Sequence, residues 1–177
     1  YHWQERSFKN ATLDALSMNL NDMAVMRART SYLQDHIIFP KDDEEGIFEI
    51  IGSLVGECKK REIQITAGET SIHNDFPGLE ISIAVQGSYI NYKRNKFEIG
   101  DSLIGIRSSG LHSNGFTKVR ELFKDEFRHE FIEPTIIYYD KILELDKKFD
   151  IHGMEHITGG AFTKLKKFLN NSNVKID

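Results

Sequence analysis

The sequence predicts an α/β (α+β) layered fold in two successive parts. Three observations carry that reading. Helical periodicity alternates with short runs of strand-like residues along the whole chain, strand candidates end in Gly-rich bends that lead into helices, and the pattern recurs in kind after a charged break at residues 93–96. The 177 residues, 40% of them hydrophobic and 28% charged with only 3 Pro, are enough to bury a core, and the composition excludes a disordered or low-complexity chain.

The elements follow in order. Residues 11–26 read as a helix, with Leu13, Leu16, Leu20 and Met23 at three- and four-residue steps. Residues 32–39 read as a strand closed by Pro40. After the acidic run 42–45, Ile47, Ile50, Ile51, Leu54, Val55 and Cys58 fall at i, i+3, i+4, i+7, i+8 and i+11, an amphipathic helix. Lys59, Lys60 and Arg61 suit the negative end of its dipole. Residues 62–66 form a short strand candidate, 68–78 a polar loop, and 79–85 a half-buried strand in which Leu79, Ile81, Ile83 and Val85 alternate with polar or small residues. Residues 89–100 are a hairpin or a connection, and the charged segment within them is the domain boundary. Beyond it come a strand at 102–106, a loop at 108–115 and a helix with Phe116, Val119, Leu122 and Phe123 on one side. Pro134 sits where a helix start tolerates it, and Ile137, Tyr138, Ile142 and Leu145 continue that helix. A strand at 152–157, a turn at Thr158-Gly159-Gly160 and a last helix at 161–169 complete the reading.

Charge narrows the function classes. Net charge is −4, from 23 basic and 27 acidic residues, so no global basic field holds nucleic acid or an anionic membrane, and any phosphate recognition is local. The single cysteine, Cys58, forbids an intramolecular disulfide and a multi-Cys metal site, favours a reducing compartment, and lies on an apolar stripe as a buried, inert thiol. No apolar run approaches a membrane span and residues 1–10 lack a signal-peptide core, which reads as a soluble, cytoplasmic protein. The opening residue is Tyr1 rather than Met, and the end falls just after a helix-like pattern, as in processed termini or part of a longer protein.

Chemistry concentrates in three places. Ser108, Ser109, Gly110, His112, Ser113, Asn114 and Gly115 lie between a strand and a helix, leaving backbone N–H groups free near a positive helix end that suits phosphate. His112 can donate a hydrogen bond to phosphate or move a proton near neutral pH. The plainer alternative is that Ser113 or Asn114 merely caps the helix. Thr158, Gly159 and Gly160 repeat the logic after His156-Ile157, against the alternative of a Gly-rich turn. Gly68, Glu69 and Thr70 end a strand at a polar loop, where a carboxylate is placed to hold Mg²⁺, and the pair Asn21-Asp22 sits inside an otherwise apolar-faced helix.

Taken together these motifs resemble the aminoimidazole ribonucleotide (AIR) synthetase family, the phosphoribosylformylglycinamidine cyclo-ligases of purine biosynthesis. Gly100-Asp101-Ser102-Leu103-Ile104-Gly105 followed by Ser108-Ser109-Gly110-Leu111-His112-Ser113-Asn114-Gly115 is close to that family's signature. Pro134-Thr135-Ile136-Ile137-Tyr138 and His152-Gly153-Met154-Glu155-His156-Ile157-Thr158-Gly159-Gly160 match two more of its motifs. Asn21-Asp22 and Gly68-Glu69-Thr70 match weaker motifs shared with ATP-using relatives: formylglycinamidine ribonucleotide synthetase, thiamin-monophosphate kinase, selenophosphate synthetase and the hydrogenase-maturation protein. The resemblance implies an ATP-dependent cyclisation of formylglycinamidine ribonucleotide. ATP phosphorylates the formyl amide oxygen, the amidine nitrogen attacks, and phosphate leaves. It implies ATP and Mg²⁺ as cofactors, with Asn21, Asp22, Gly68, Glu69 and Thr70 at the nucleotide and Asp22 and Glu69 at the metal. His112 would be catalytic, and Ser108, Ser109, Gly110, Ser113, Asn114, Gly115, Thr158, Gly159 and Gly160 would hold phosphate or substrate. It also implies a homodimer.

The fold implied is two-domain and partial, with a mixed sheet plus helices in each part. Residues 1–95 would be the later portion of an N-terminal ATP-binding and dimerisation domain, and 96–177 the first portion of a C-terminal domain. Departures from the family pattern are Arg27-Ala28-Arg29-Thr30 in place of Gly-Ala-Glu-Pro, Ala67 in place of the first Gly of Gly-Gly-Glu-Thr, and Ala161, Lys164 and Leu165 after the glycine pair. An upstream Asp-Gly-x-Gly-Thr-Lys motif is not within these residues. Two alternatives stay open: a divergent superfamily kinase or synthetase acting on another phosphorylated metabolite, and an inactive paralogue serving as a binding subunit.

Overall fold

A computed structural model describes residues 1–160, 163 and 164, so most of the helix expected at 161–169 lies outside the described residues. The order is α1 (Phe8–Val25), β1 (Ala28–Phe39), α2 (Glu44–Lys60), β2 (Gln64–Ile72), β3 (Glu80–Tyr89), α3 (Phe116–Phe123), a 3₁₀ turn (His129–Phe131) and α4 (Tyr139–Lys148). The strands form one mixed sheet in the order β2-β1-β3, β1 running parallel to β2 and antiparallel to β3. A parallel neighbour needs a crossover, and α2 supplies it.

The amphipathic helices cover one face of this sheet. Leu16, Leu20 and Ala24 of α1, Leu33 of β1, Leu54 and Cys58 of α2 and Tyr139 of α4 make one buried cluster. Phe8, Ile37, Phe39 and Ile50, with Trp3 against them, make another. Cys58 is buried as its place on the apolar stripe predicts, and burial pushes its thiol up to about 11, so it is an inert thiol at neutral pH. Asp43 caps α2, its carboxylate accepting from the Gly46 N–H at 3.0 Å. The other face of β1, carrying Tyr32, Gln34 and His36, is open.

Residues 90–160 pack against the free side of α1 and add no strand to the sheet. Polar side chains of α1 bind the backbone of the irregular stretch 132–138. Asn10 Nδ2 donates to the Ile132 carbonyl at 2.9 Å, and the Thr135 N–H donates to Asp14 Oδ1 at 2.8 Å. Asn21 both donates to the Ile136 carbonyl (2.9 Å) and accepts from the Tyr138 N–H (2.7 Å). Arg27, just past the helix, finishes the seam. Its guanidinium is 1% exposed and bonds Asp146 Oδ1 (3.0 Å), the Lys93 carbonyl (3.2 Å) and the Ile151 carbonyl (2.9 Å). Its φ of 57° lies in the left-handed region, which explains why a glycine suits this position in the family pattern. Arg27, one of the departures, is therefore committed to internal bonds.

Four expectations about elements are corrected. The stretch 102–106 is exposed and irregular, and 152–157 is irregular too, because a strand exists only when paired and no partner strand is present for either among the described residues. Strand β2 continues through Gly68, Glu69 and Thr70 instead of ending in a loop before them. Its polar look reflects an edge position, one side paired and one side solvated. Helix α4 starts at Tyr139 and not at Pro134, since the backbone of 135–138 is bonded to Asp14 and Asn21 of α1 instead of to a helix of its own.

Candidate functional site

The bend at 108–115 folds back on the 132–138 stretch. Ser109 Oγ donates to the Pro134 carbonyl at 2.8 Å, and Ser113 Oγ lies 3.3 Å from Thr135 Oγ1. Asp14, which bonds Thr135, also takes a 2.9 Å contact from His2 Nε2. Burial would raise this carboxyl, but bonds from His2, Thr135 and Ser113 outweigh burial and hold it below the usual carboxylate range. His112 and Ser113 have φ of 49° and 51°, a left-handed backbone rarely adopted by such residues and here fixed by the contacts around it. Neither Ser113 nor Asn114 caps α3. Gly115, at φ 81°, occupies the cap, and no side chain closes it. The capping alternative thus does not account for these residues.

The two glycine bends meet. Asn114 Nδ2 donates to Thr158 Oγ1 at 3.1 Å, across 44 residues of sequence. A side chain at Gly159 would put its Cβ 2.9 Å from Asn114 Oδ1, so it would push the Asn114 amide from its place at Thr158. Gly160, at φ 83°, turns the chain. Beside this contact the His112 ring lies 6.0 Å from the Tyr138 ring and 6.3 Å from the His156 ring, centroid to centroid. Tyr138 Oη donates to the Arg107 carbonyl at 2.8 Å. Burial first, and the neighbouring His156 second, push the His112 imidazole below its ordinary value against the pull of Asp14, favouring the uncharged ring. Lys164 Nζ reaches the His156 carbonyl at 3.3 Å.

Asn21 and Asp22 divide the work. Asn21 is buried and spent on the 136–138 backbone. Asp22 is 61% exposed, with Oδ1 at 2.9 Å from His156 Nδ1. His156 was not singled out from sequence as a site residue. The only available signal was its position ahead of Thr158-Gly159-Gly160, because its partner stands 134 residues away.

The β2 motif lies elsewhere. Glu69 pairs in register with His36, on the sheet face turned away from the helices, while Asp22 stands on a helix of the covered face. Gly68 faces Asp35, whose Oδ2 would lie 2.8 Å from a Cβ at that position, and Thr70 pairs with Ile37. Asp22 and Glu69 are therefore not brought together within one chain. Among the described residues no group of three or more His, Cys, Asp or Glu could hold a metal ion. Mg²⁺ commonly takes one or two carboxylates plus water and phosphate oxygens, and exposed Asp22 has the chemistry for such a site.

Two family models match this sequence: AIR synthase related protein, N-terminal domain, over residues 2–89, and AIR synthase related protein, C-terminal domain, over residues 98–177. The chain is 34% identical over 172 residues to the phosphoribosylformylglycinamidine cyclo-ligase of Saccharolobus solfataricus, covering 93% of this chain and 53% of that one. It is 32% identical over 180 residues to the enzyme of the same name from Thermococcus gammatolerans, covering 92% and 53%. The chain thus spans about half the length of these curated relatives. Among solved structures, Escherichia coli HypE matches with a TM-score of 0.64 at 20% identity, covering 90% of this chain and 51% of that one. The hydrogenase maturation protein HypE in complex with ATP matches at 0.62 and 18% identity, covering 89% and 49%. Both show the fold. Among the described residues no helix is long and apolar enough to cross a membrane.

Proposed function

We propose that this chain, which belongs to the AIR synthase related family, carries part of the centre of an ATP-dependent cyclo-ligase that closes formylglycinamidine ribonucleotide to aminoimidazole ribonucleotide. The observation that carries the reading is the Asn114–Thr158 hydrogen bond, which sets the two anion-suited bends side by side next to His112. ATP supplies the phosphoryl group that turns the formyl amide oxygen into a leaving group. The chain's own residues position and stabilise. Ser108, Ser109, Gly110, Ser113 and Gly115 offer backbone N–H groups to phosphate oxygens, joined by the Ser108 hydroxyl and by the Asn114 Nδ2 hydrogen not given to Thr158, and Thr158, Gly159 and Gly160 form the second cradle. An uncharged His112 can donate from one ring nitrogen and accept at the other, so it can hand on the proton released at ring closure.

Asp22 would hold Mg²⁺ beside the nucleotide phosphates through its carboxylate oxygen not bonded to His156. Glu69, Gly68 and Thr70 reach a nucleotide only if it bridges to the open sheet face, which fits a homodimer paired through that sheet in the cytoplasm. The test is release of ADP dependent on formylglycinamidine ribonucleotide, measured in the protein's full chain. His112→Ala is expected to cut turnover by more than about tenfold, with folding intact. ADP release with a different phosphorylated metabolite instead would point to a divergent kinase or synthetase, and absence of nucleotide binding to a binding subunit.

A further inference from the structure

We propose that His156, aligned by Asp22, is a substrate-contacting residue whose Nε2 accepts a hydrogen bond from an N–H group of the amidine or formylamide end of the substrate. For the identity of that substrate the inference rests on the cyclo-ligase reading above. Its geometry stands alone.

Asp22 Oδ1 lies 2.9 Å from His156 Nδ1. A carboxylate oxygen only accepts, so the ring nitrogen facing it carries the hydrogen. In the neutral ring the other nitrogen is then a bare acceptor. That atom, Nε2, is buried and has no partner among the described residues, in a side chain only 6% exposed. Buried polar atoms are nearly always paired, so an unpaired one next to a ligand-suited bend marks a missing partner. For that neutral ring the partner is a hydrogen-bond donor. Mg²⁺, the ion the reading above places at Asp22, is a hard cation that takes oxygen ligands and does not suit a bare ring nitrogen. The surroundings narrow the donor further. Within the same motif Thr158 and Gly159 join Asn114 in anion-suited backbone, and His112 stands 6.3 Å away, ring to ring. A ligand that is anionic at one end and carries N–H groups at the other satisfies both halves of this arrangement.

The experiment compares two amide substitutions. His156→Asn keeps an amide near Nδ1 for Asp22 and deletes the acceptor at Nε2. His156→Gln places a carbonyl oxygen near Nε2 and gives up the Asp22 contact. His156→Asn is expected to raise KM for formylglycinamidine ribonucleotide at least about tenfold with KM for ATP unchanged, the loss of one hydrogen bond to substrate. His156→Gln is expected to restore most of that loss. Unchanged KM in His156→Asn, or equal losses for both co-substrates in both variants, overturns the inference. Should the unaltered protein fail to turn over this ribonucleotide, the cyclo-ligase reading falls by itself. The inference is then decided by nitrogen NMR of the imidazole without ligand. A hydrogen on Nδ1 with Nε2 bare upholds it, and a hydrogen on Nε2, in the other neutral tautomer or in the imidazolium, refutes it. The same measurement serves if either variant fails to fold.

Discussion

Helices α1 and α2 cover the same sheet face and have nearly equal lengths, 18 and 17 residues, yet they are held in different ways. Helix α2 buries a single apolar stripe through Ile50, Leu54 and Cys58 and leaves its other side to solvent. Helix α1 is enclosed on two sides. Leu16, Leu20 and Ala24 face the sheet, and Asn10, Asp14 and Asn21 reach the opposite way to satisfy the backbone of 132–138. Apolar packing needs only area, whereas this second contact needs every donor and acceptor matched. The difference shows how one helix serves both as a wall of the core and as a platform for the site. Asn21 anchors the stretch beside the histidines, and the adjacent Asp22 touches one of them.

The largest effect is expected at the end of the α1 seam. Arg27→Ala strips a buried guanidinium from Asp146 and two carbonyls and should cost about 3–5 kcal/mol in chemical denaturation. Arg27→Gly should cost about 1 kcal/mol less, because it relieves the left-handed strain while losing the same bonds. Equal losses would mean that φ at this position carries no penalty.

Next comes a direct contrast of the two helices. Asn21→Ala leaves the Ile136 carbonyl and the Tyr138 N–H unpaired and should cost about 2–4 kcal/mol, with faster hydrogen exchange at Tyr138. Phe48→Ala, on the solvated side of α2, removes a side chain that is 65% exposed and should change stability by less than about 0.5 kcal/mol. A small loss at Asn21 would erase the distinction between the helices.

The smallest effect concerns the far side of residues 90–160. His152 sits 2.9 Å from Asp101, and that bond holds its imidazole above the ordinary value. Because the folded form binds the proton more tightly, the stabilisation is fully present below the unfolded-state value near 6.5 and is lost as pH rises through the raised folded value. His152→Gln should flatten that part of the stability profile, and an NMR titration of His152 should give a midpoint above about 6.5.

How much was legible in the sequence follows from which signals are local. Helices α1 and α2 and strands β1 and β3 were readable because their periodicity is written within one window of residues. The end of β2 was missed because an edge strand's outer residues look like a loop, and 102–106 and 152–157 were over-read because strand identity lies in the partner. The glycine bends were found from their composition. What joins them was not. The Asn114–Thr158 and Asp22–His156 contacts span 44 and 134 residues, and no pattern within a window carries such pairings. Arg27 is the instructive case. Read as a departure from the family pattern, it turns out to be the bolt of the seam.

The solvated stretch 99–107 carries one practical consequence. Ile99 is 99% exposed and Ile104 83%, on backbone that joins no ladder among the described residues. Such a ribbon is a ready template for intermolecular strand addition, so concentrated solutions of these 177 residues should cloud with time, and a lysine in place of Ile104 should keep them clear.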